Sequence, residues 1–217
     1  MPIDVKICGL NTPDSIRAAV DAGAGYIGFM FYARSPRSVT VKEAGALALA
    51  IPQGVRKVGV FVDPTDEELA EVMRAVPLDV IQLHGRETPD RVAEVRARTG
   101  KPVFKAIAIA GPEDVALAHG YEGAADFLLF DAKPPKAMPA ALPGGNGLSF
   151  DWDLIAGESW TRGWILSGGL TAENVAGAIA QSGARFVDVS SGVEDRPGVK
   201  NPAKIEAFIK AARNATP

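Results

Sequence analysis

The stretch GWILSGGLTAENVAGAIAQSGARFVDVSSGVE, residues 163–194, reads as a strand, a helix and a second strand within a chain of 217 residues. Its apolar runs, GWILS at 163–167 and FVDVS at 186–190, flank a segment with helical spacing, TAENVAGAIAQSG. Continuous apolar runs suit parallel strands covered on both faces, whereas a half-exposed antiparallel strand alternates. Each run ends in small and polar residues, Gly168 and Gly169 after the first and Ser190, Ser191 and Gly192 after the second. Such residues let backbone N–H groups approach an anion, and the helix that follows adds a positive end. Singly, each motif also fits a tight turn without ligand. As the last two strand ends of an eightfold barrel, they predict a phosphate position.

Outward from this unit, six more runs recur: VKIC at 5–8, YIGFMF at 26–31, KVGVFV at 57–62, DVIQLH at 79–84, PVFKAI at 102–107 and DFLLFD at 126–131. Between them lie Ala- and charge-rich helical patterns such as TPDSIRAAVDAG and PTDEELAEVMRAV. Thr12, Thr65, Thr88 and Thr171 are candidate N-caps, and Gly23, Gly100 and Gly183 suit helix exits. Eight strands alternating with helices make a closed barrel or a wide doubly wound sheet. The polar and Gly-rich residues fall after many strands rather than at one switch point, and no GxGxxG follows the first strand. The reading is therefore α/β, a single parallel (β/α)8 TIM barrel forming one catalytic domain over residues 1–217.

The formal charge of −3 supplies no broad basic field, which argues against a nucleic-acid partner. No apolar run approaches the ~20 residues of a membrane span, and MPIDVKICGL reaches a strand without a basic leader. Cys8 is the only cysteine, which rules out an internal disulfide and fits a reducing compartment. The expected setting is the cytoplasm, with a small molecule as partner.

Cys8 closes the first strand, where a thiol either fills space or, in positive surroundings, acts as base or nucleophile. Lys6 shares its face if the strand is regular. Asp131 closes the sixth strand, as a general acid or as a turn cap. Arg37, in YARSPRSVT, suits bidentate binding of a carboxylate, and Arg34 offers a second cation. Exposed arginines also simply solvate a loop. His84 is a proton donor or acceptor, or a satisfied core histidine. The two histidines stand far apart and no cluster has metal-site spacing, so no metal is expected. The stretch AKPPKAMPAALPGGNGLSFDW, 132–152, is too rich in Pro and Gly for a regular helix and reads as a long loop, either a lid or a solvated connection.

Taken together, KICGL (6–10), GFMFYARSPRSVT (28–40), KVGVFVD (57–63), IQLHG (81–85), FDAK (130–133), GGNGLSFDW (144–152), LSGGLTAENV (166–175) and DVSSGVEDRPGVK (188–200) resemble the phosphoribosylanthranilate isomerase family over nearly the full chain. The resemblance implies a cofactor-free Amadori rearrangement in tryptophan biosynthesis. Its substrate is a phosphosugar, N-(5-phosphoribosyl)anthranilate, and its product is 1-(2-carboxyphenylamino)-1-deoxyribulose 5-phosphate. It further implies Asp131 as general acid, Cys8 as general base, Arg37 on the anthranilate carboxylate, and Gly168, Gly169, Ser190, Ser191 and Gly192 on the phosphate. His84, Gly145 and Gly147 complete the expected substrate contacts. The active unit is expected to be a monomer or a homodimer. One departure is Asn146, where the family usually has Thr or Ser. Two rivals stand beside this reading: the histidine-pathway barrel isomerase, whose first strand would end in an acid, and a catalytically silent phosphosugar-binding barrel.

Overall fold

The structure is a computed structural model and describes residues 2–135, 137–138 and 141–217. The eight apolar runs form strands β1 (Asp4–Cys8), β2 (Tyr26–Met30), β3 (Arg56–Phe61), β4 (Val80–Leu83), β5 (Val103–Ile109), β6 (Phe127–Ala132), β7 (Gly163–Leu166) and β8 (Phe186–Val189). They pair in sequence order, all parallel, and β8 closes on β1 through Asp4↔Phe186 to Ile7↔Val189. Helices α1 (Pro13–Ala22), α2 (Val41–Ala48), α3 (Asp66–Ala75), α4 (Pro89–Thr99), α5 (Pro112–His119), α6 (Val175–Ser182) and α7 (Pro202–Arg213) cover the outside.

Register explains why the runs are apolar throughout. Val58, Val60, Val80, Phe104, Leu129, Ile165 and Phe186 fill the barrel interior, while their strand neighbours Ile27, Ile81, Val103, Leu128, Phe130 and Val187 pack beneath the helices. Both faces of every strand are thus buried. At the end where the strands begin, Tyr26, Phe104, Phe127 and Phe186 plug the interior, with ring centroids 4.6–6.1 Å apart. No helix among the described residues is long and apolar enough to cross a membrane.

Three expected caps hold. The hydroxyls of Thr12, Thr65 and Thr88 accept from the N–H groups of Ser15, Glu68 and Arg91, and Gly23, Gly100 and Gly183 leave their helices in the left-handed conformation. Thr171 caps the turn that leads into α6: its hydroxyl accepts from the Glu173 N–H (3.3 Å) and its carbonyl from the Val175 N–H (3.0 Å). Helix α6 itself opens after Asn174, whose side chain reaches back to the Thr171 N–H (2.8 Å) and the Gly169 carbonyl (2.9 Å).

The eightfold pattern is also incomplete between β6 and β7. Only a 3₁₀ turn, Trp152–Leu154, stands among the described residues where the sixth helix belongs, because the Pro- and Gly-rich run before it cannot sustain one. Of the loop expected over 132–152, Lys136, Pro139 and Ala140 lie outside the described residues, and Ala132 belongs to β6. Beyond β8, a hairpin of β9 (Glu194–Arg196) and β10 (Val199–Lys200) folds back over the barrel mouth and returns Lys200 beneath Ser190.

Candidate active site

The strand ends surround one open cavity. Cys8, Arg37, His84, Asp131, Gly145, Gly147, Gly168, Gly169, Ser190, Ser191 and Gly192 all line it. Arg34 does not; it lies on the neighbouring surface groove beside Tyr32 and Asp63.

At one end, Gly168 and Gly169 take φ of 84° and 62°, a conformation that disfavours any side chain. A Cβ on Gly168 would stand 2.8 Å from the Ala132 nitrogen, and one on Gly192 would overlap the Leu170 carbonyl oxygen. These glycines therefore let two strand-end loops approach each other with bare backbone. Asn174 steers the first loop by holding the Gly169 carbonyl. The second is held from below: Lys200 Nζ donates to the Ser190 carbonyl (2.8 Å), the Ser190 hydroxyl oxygen (3.2 Å) and Glu194 (2.8 Å). The Ser190 hydroxyl itself donates to the Cys8 carbonyl at 3.2 Å, so this side chain braces β1 against β8.

Arg37 lines the same cavity, buried with 4% of its side chain exposed. Its Nε and Nη2 donate to the two carboxylate oxygens of Glu194 at 2.7 and 2.9 Å, and Nη2 also reaches the Gly145 carbonyl at 3.1 Å. Nη1 makes no hydrogen bond among the described residues. Burial pushes the Glu194 carboxyl up, but the bonds from Arg37 and Lys200 outweigh it and hold the group below the usual glutamate range. Burial pushes Lys200 down despite Glu194.

The same cavity holds the chemical groups. The Cys8 thiol is raised by burial, against the nearby Lys6 ammonium, which lowers it. Lys6 is fully buried inside the barrel and bonds Asp188 at 2.9 Å. Burial disfavours its charge, yet Asp188 and Cys8 outweigh that and keep it above the ordinary lysine value. Gly28 leaves room for both groups, since a Cβ there would meet Cys8 Sγ at 3.1 Å and Lys6 Cε at 3.3 Å. Asp131 Oδ1 accepts from the Ala132 N–H at 2.9 Å, and its Oδ2 lies 3.3 Å from His84 Nε2, close but not aligned as a hydrogen bond. Over this pair rests Gly144, at which a Cβ would meet His84 Nε2 at 2.5 Å and Asp131 Oδ2 at 2.6 Å. Asn146 cinches that loop, accepting from the Leu142 N–H (3.1 Å) and donating to the Leu142 carbonyl (2.7 Å), so that one carboxamide makes both hydrogen bonds. Among the described residues, no group of three His, Cys, Asp or Glu side chains could hold a metal ion.

Sequence reasoning passed over Gln82, Asn174, Asp188, Glu194 and Lys200. Gln82 and Asp188 carried a usable sign, since each interrupts an apolar run at an interior position. Glu194 and Lys200 had none, because their roles arise only when the hairpin folds back.

The sequence profile of N-(5'-phosphoribosyl)anthranilate (PRA) isomerase matches residues 5–211. The chain is 59% identical over 212 residues to N-(5'-phosphoribosyl)anthranilate isomerase of Rhodospirillum centenum, covering 98% of this chain and 99% of that one. The crystal structure of phosphoribosyl anthranilate isomerase from Thermotoga maritima superposes with a TM-score of 0.87 at 36% identity, over 97% of this chain and 98% of that one. A phosphoribosyl anthranilate isomerase in complex with reduced 1-(o-carboxyphenylamino)-1-deoxyribulose 5-phosphate superposes with a TM-score of 0.84 at 34% identity, over 97% and 98% of the two chains. A closed eight-stranded barrel thus coincides with similarity along the whole chain, and the protein belongs to the phosphoribosylanthranilate isomerase family, the isomerases of tryptophan biosynthesis.

Proposed function

We propose that the chain acts as one catalytic unit, in the cytoplasm as a monomer or homodimer and without a cofactor, with Cys8 as general base and Asp131 as general acid. The observation that carries this reading is their placement. The thiol and the carboxyl enter one cavity from β1 and β6, with two further strands between them on the shorter way around the ring. A bare-backbone anion cradle and a buried guanidinium line the same cavity.

The substrate's phosphate sits on the loops of Gly168, Gly169, Ser190, Ser191 and Gly192, and its carboxylate takes the Arg37 Nη1 donors. His84, Gly145 and Gly147 contact the body of the molecule. Asp131 gives its proton to the furanose ring oxygen. The C1–O bond breaks with its electron pair remaining on that oxygen, which becomes the C4 hydroxyl, while the anilino nitrogen lone pair forms the C=N bond. The iminium is an electron sink that acidifies C2, so a modest base suffices. Cys8 thiolate removes the C2 proton, the C–H electrons form C1=C2, and the C=N pair returns to nitrogen as an enolamine. Protonation at C1 and loss of the C2 hydroxyl proton give the ketone. Lys6 supports the thiolate, and the Lys6–Asp188 pair keeps that ammonium in place during the reaction.

Freshly prepared N-(5'-phosphoribosyl)anthranilate supplied to the purified protein in EDTA tests the reading, with substrate loss and ribulose product followed together. Turnover is expected. Tight product binding without turnover by folded protein would establish a silent phosphosugar binder instead.

A further inference from the structure

Gln82 places a fully buried carboxamide in the barrel interior, on β4 and two residues before His84, so that both side chains share the inward face. Its register partners are Val60 and Phe104, which are apolar. Its Oε1 is buried with no hydrogen-bond partner among the described residues. A leucine fills such a position without that cost, so packing alone does not explain the amide. The other end of the amide is committed: Nε2 lies 3.0 Å from His84 Nδ1. Across the ring, His84 Nε2 faces Asp131 Oδ2 at 3.3 Å.

We propose that Gln82 is a positioning residue that holds His84 as the Nε2–H tautomer, so that the imidazole presents a donor to Asp131. The inference rests on Asp131 being the acid of the isomerisation. An amide N–H only donates, so Nδ1 facing it must be the bare acceptor, and a neutral imidazole then carries its proton on Nε2. Once Asp131 has given its proton to the sugar ring oxygen, the Ala132 N–H already holds Oδ1, and His84 Nε2–H, 3.3 Å from Oδ2 and not aligned with it in this structure, supplies the second donor by a small turn of the ring. No proton is gained or lost by His84 in the step. The opposite amide orientation would leave Nε2 bare and competing for the proton that Asp131 must deliver. Gly144 rests over the pair, so close that a Cβ there would meet both His84 Nε2 and Asp131 Oδ2.

The tautomer can be read without turnover. The chain has two histidines, and His119→Asn, on the outer surface at the end of α5, leaves His84 as the single imidazole for 15N NMR. The expected spectrum at neutral pH shows a protonated Nε2 and a bare Nδ1. Gln82→Leu should blur that signature into a mixture and lower kcat by about tenfold, less than the 10²–10⁴ supplied by a positioned acid itself, with product affinity held within about twofold. Gln82→Glu, which can only accept from the ring, should move the proton to Nδ1 or charge the imidazole. A protonated Nδ1 in the wild-type protein overturns the proposal even if Gln82→Leu fails to fold, as does an unchanged tautomer and kcat in Gln82→Leu. Failure of the wild-type protein to isomerise phosphoribosylanthranilate would overturn the catalytic reading instead, which the spectrum does not depend on.

Discussion

The two ends of the barrel interior are built from the same strands and opposite materials. Where the strands begin, Tyr26, Phe104, Phe127 and Phe186 close the interior with stacked and edge-on rings. Where they end, the inward residues are Cys8, Gln82, His84, Asp131 and Asp188, joined by Lys6 below. The first end removes apolar surface from water and the second holds charge out of water, which only partners make tolerable. Lys6 is tied to Asp188, and Arg37 and Lys200 share Glu194. Buried pairs of this kind are weak sources of stability, but they fix charges in advance of the reaction. The comparison assigns stability to the plugged end and chemistry to the open one.

Substitutions at each end test that division. Phe186→Ala, in the plug, should cost about 3–5 kcal/mol of unfolding free energy in denaturant titrations, while kcat of the folded protein stays within about twofold. Lost activity with intact stability would break the division. Arg37→Ala should raise KM by about tenfold, about 1.4 kcal/mol of binding, and change kcat less. Unchanged steady-state constants would remove Arg37 from the substrate's carboxylate.

Lys6→Met bears on the thiol. Cys8 already titrates above an ordinary cysteine because it is buried, and Lys6 opposes that rise. The rate–pH profile of Cys8 alkylation should therefore move further upward in the variant, and a downward shift would contradict the assignment. The smallest effect belongs to Glu194. Its folded-state pKa lies below the unfolded value, so its contribution to stability is complete above the ordinary glutamate range and is lost as pH falls through the lower folded value. Glu194→Gln should flatten that acid arm of the stability profile, as followed by urea midpoints between neutral and strongly acidic pH. An arm of unchanged steepness would show that other carboxylates carry it.

The barrel was legible because its determinants are local. Each strand is a predominantly apolar run, and Thr12, Thr65 and Thr88 stand where helices must start. The bound of α6 was less so, because Thr171 caps a turn and the helix proper opens only three residues later, after Asn174. The eleven expected site residues could be named from strand ends and resemblance, and one cavity gathers them. What supports them was hidden. Arg37 and Glu194 are 157 residues apart, and nothing near either reveals the other before the β9–β10 hairpin folds back. The Gln82–His84 pair was closer to legible, since two polar residues at a spacing of two in an apolar strand must face the same way.

The division of labour is tested most directly by measuring kcat and product affinity together for Cys8→Ala and Asp131→Asn. The account predicts that each lowers kcat by about 10²–10⁴, with product affinity within about twofold and the unfolding midpoint little changed. Wild-type kcat in either variant would contradict it.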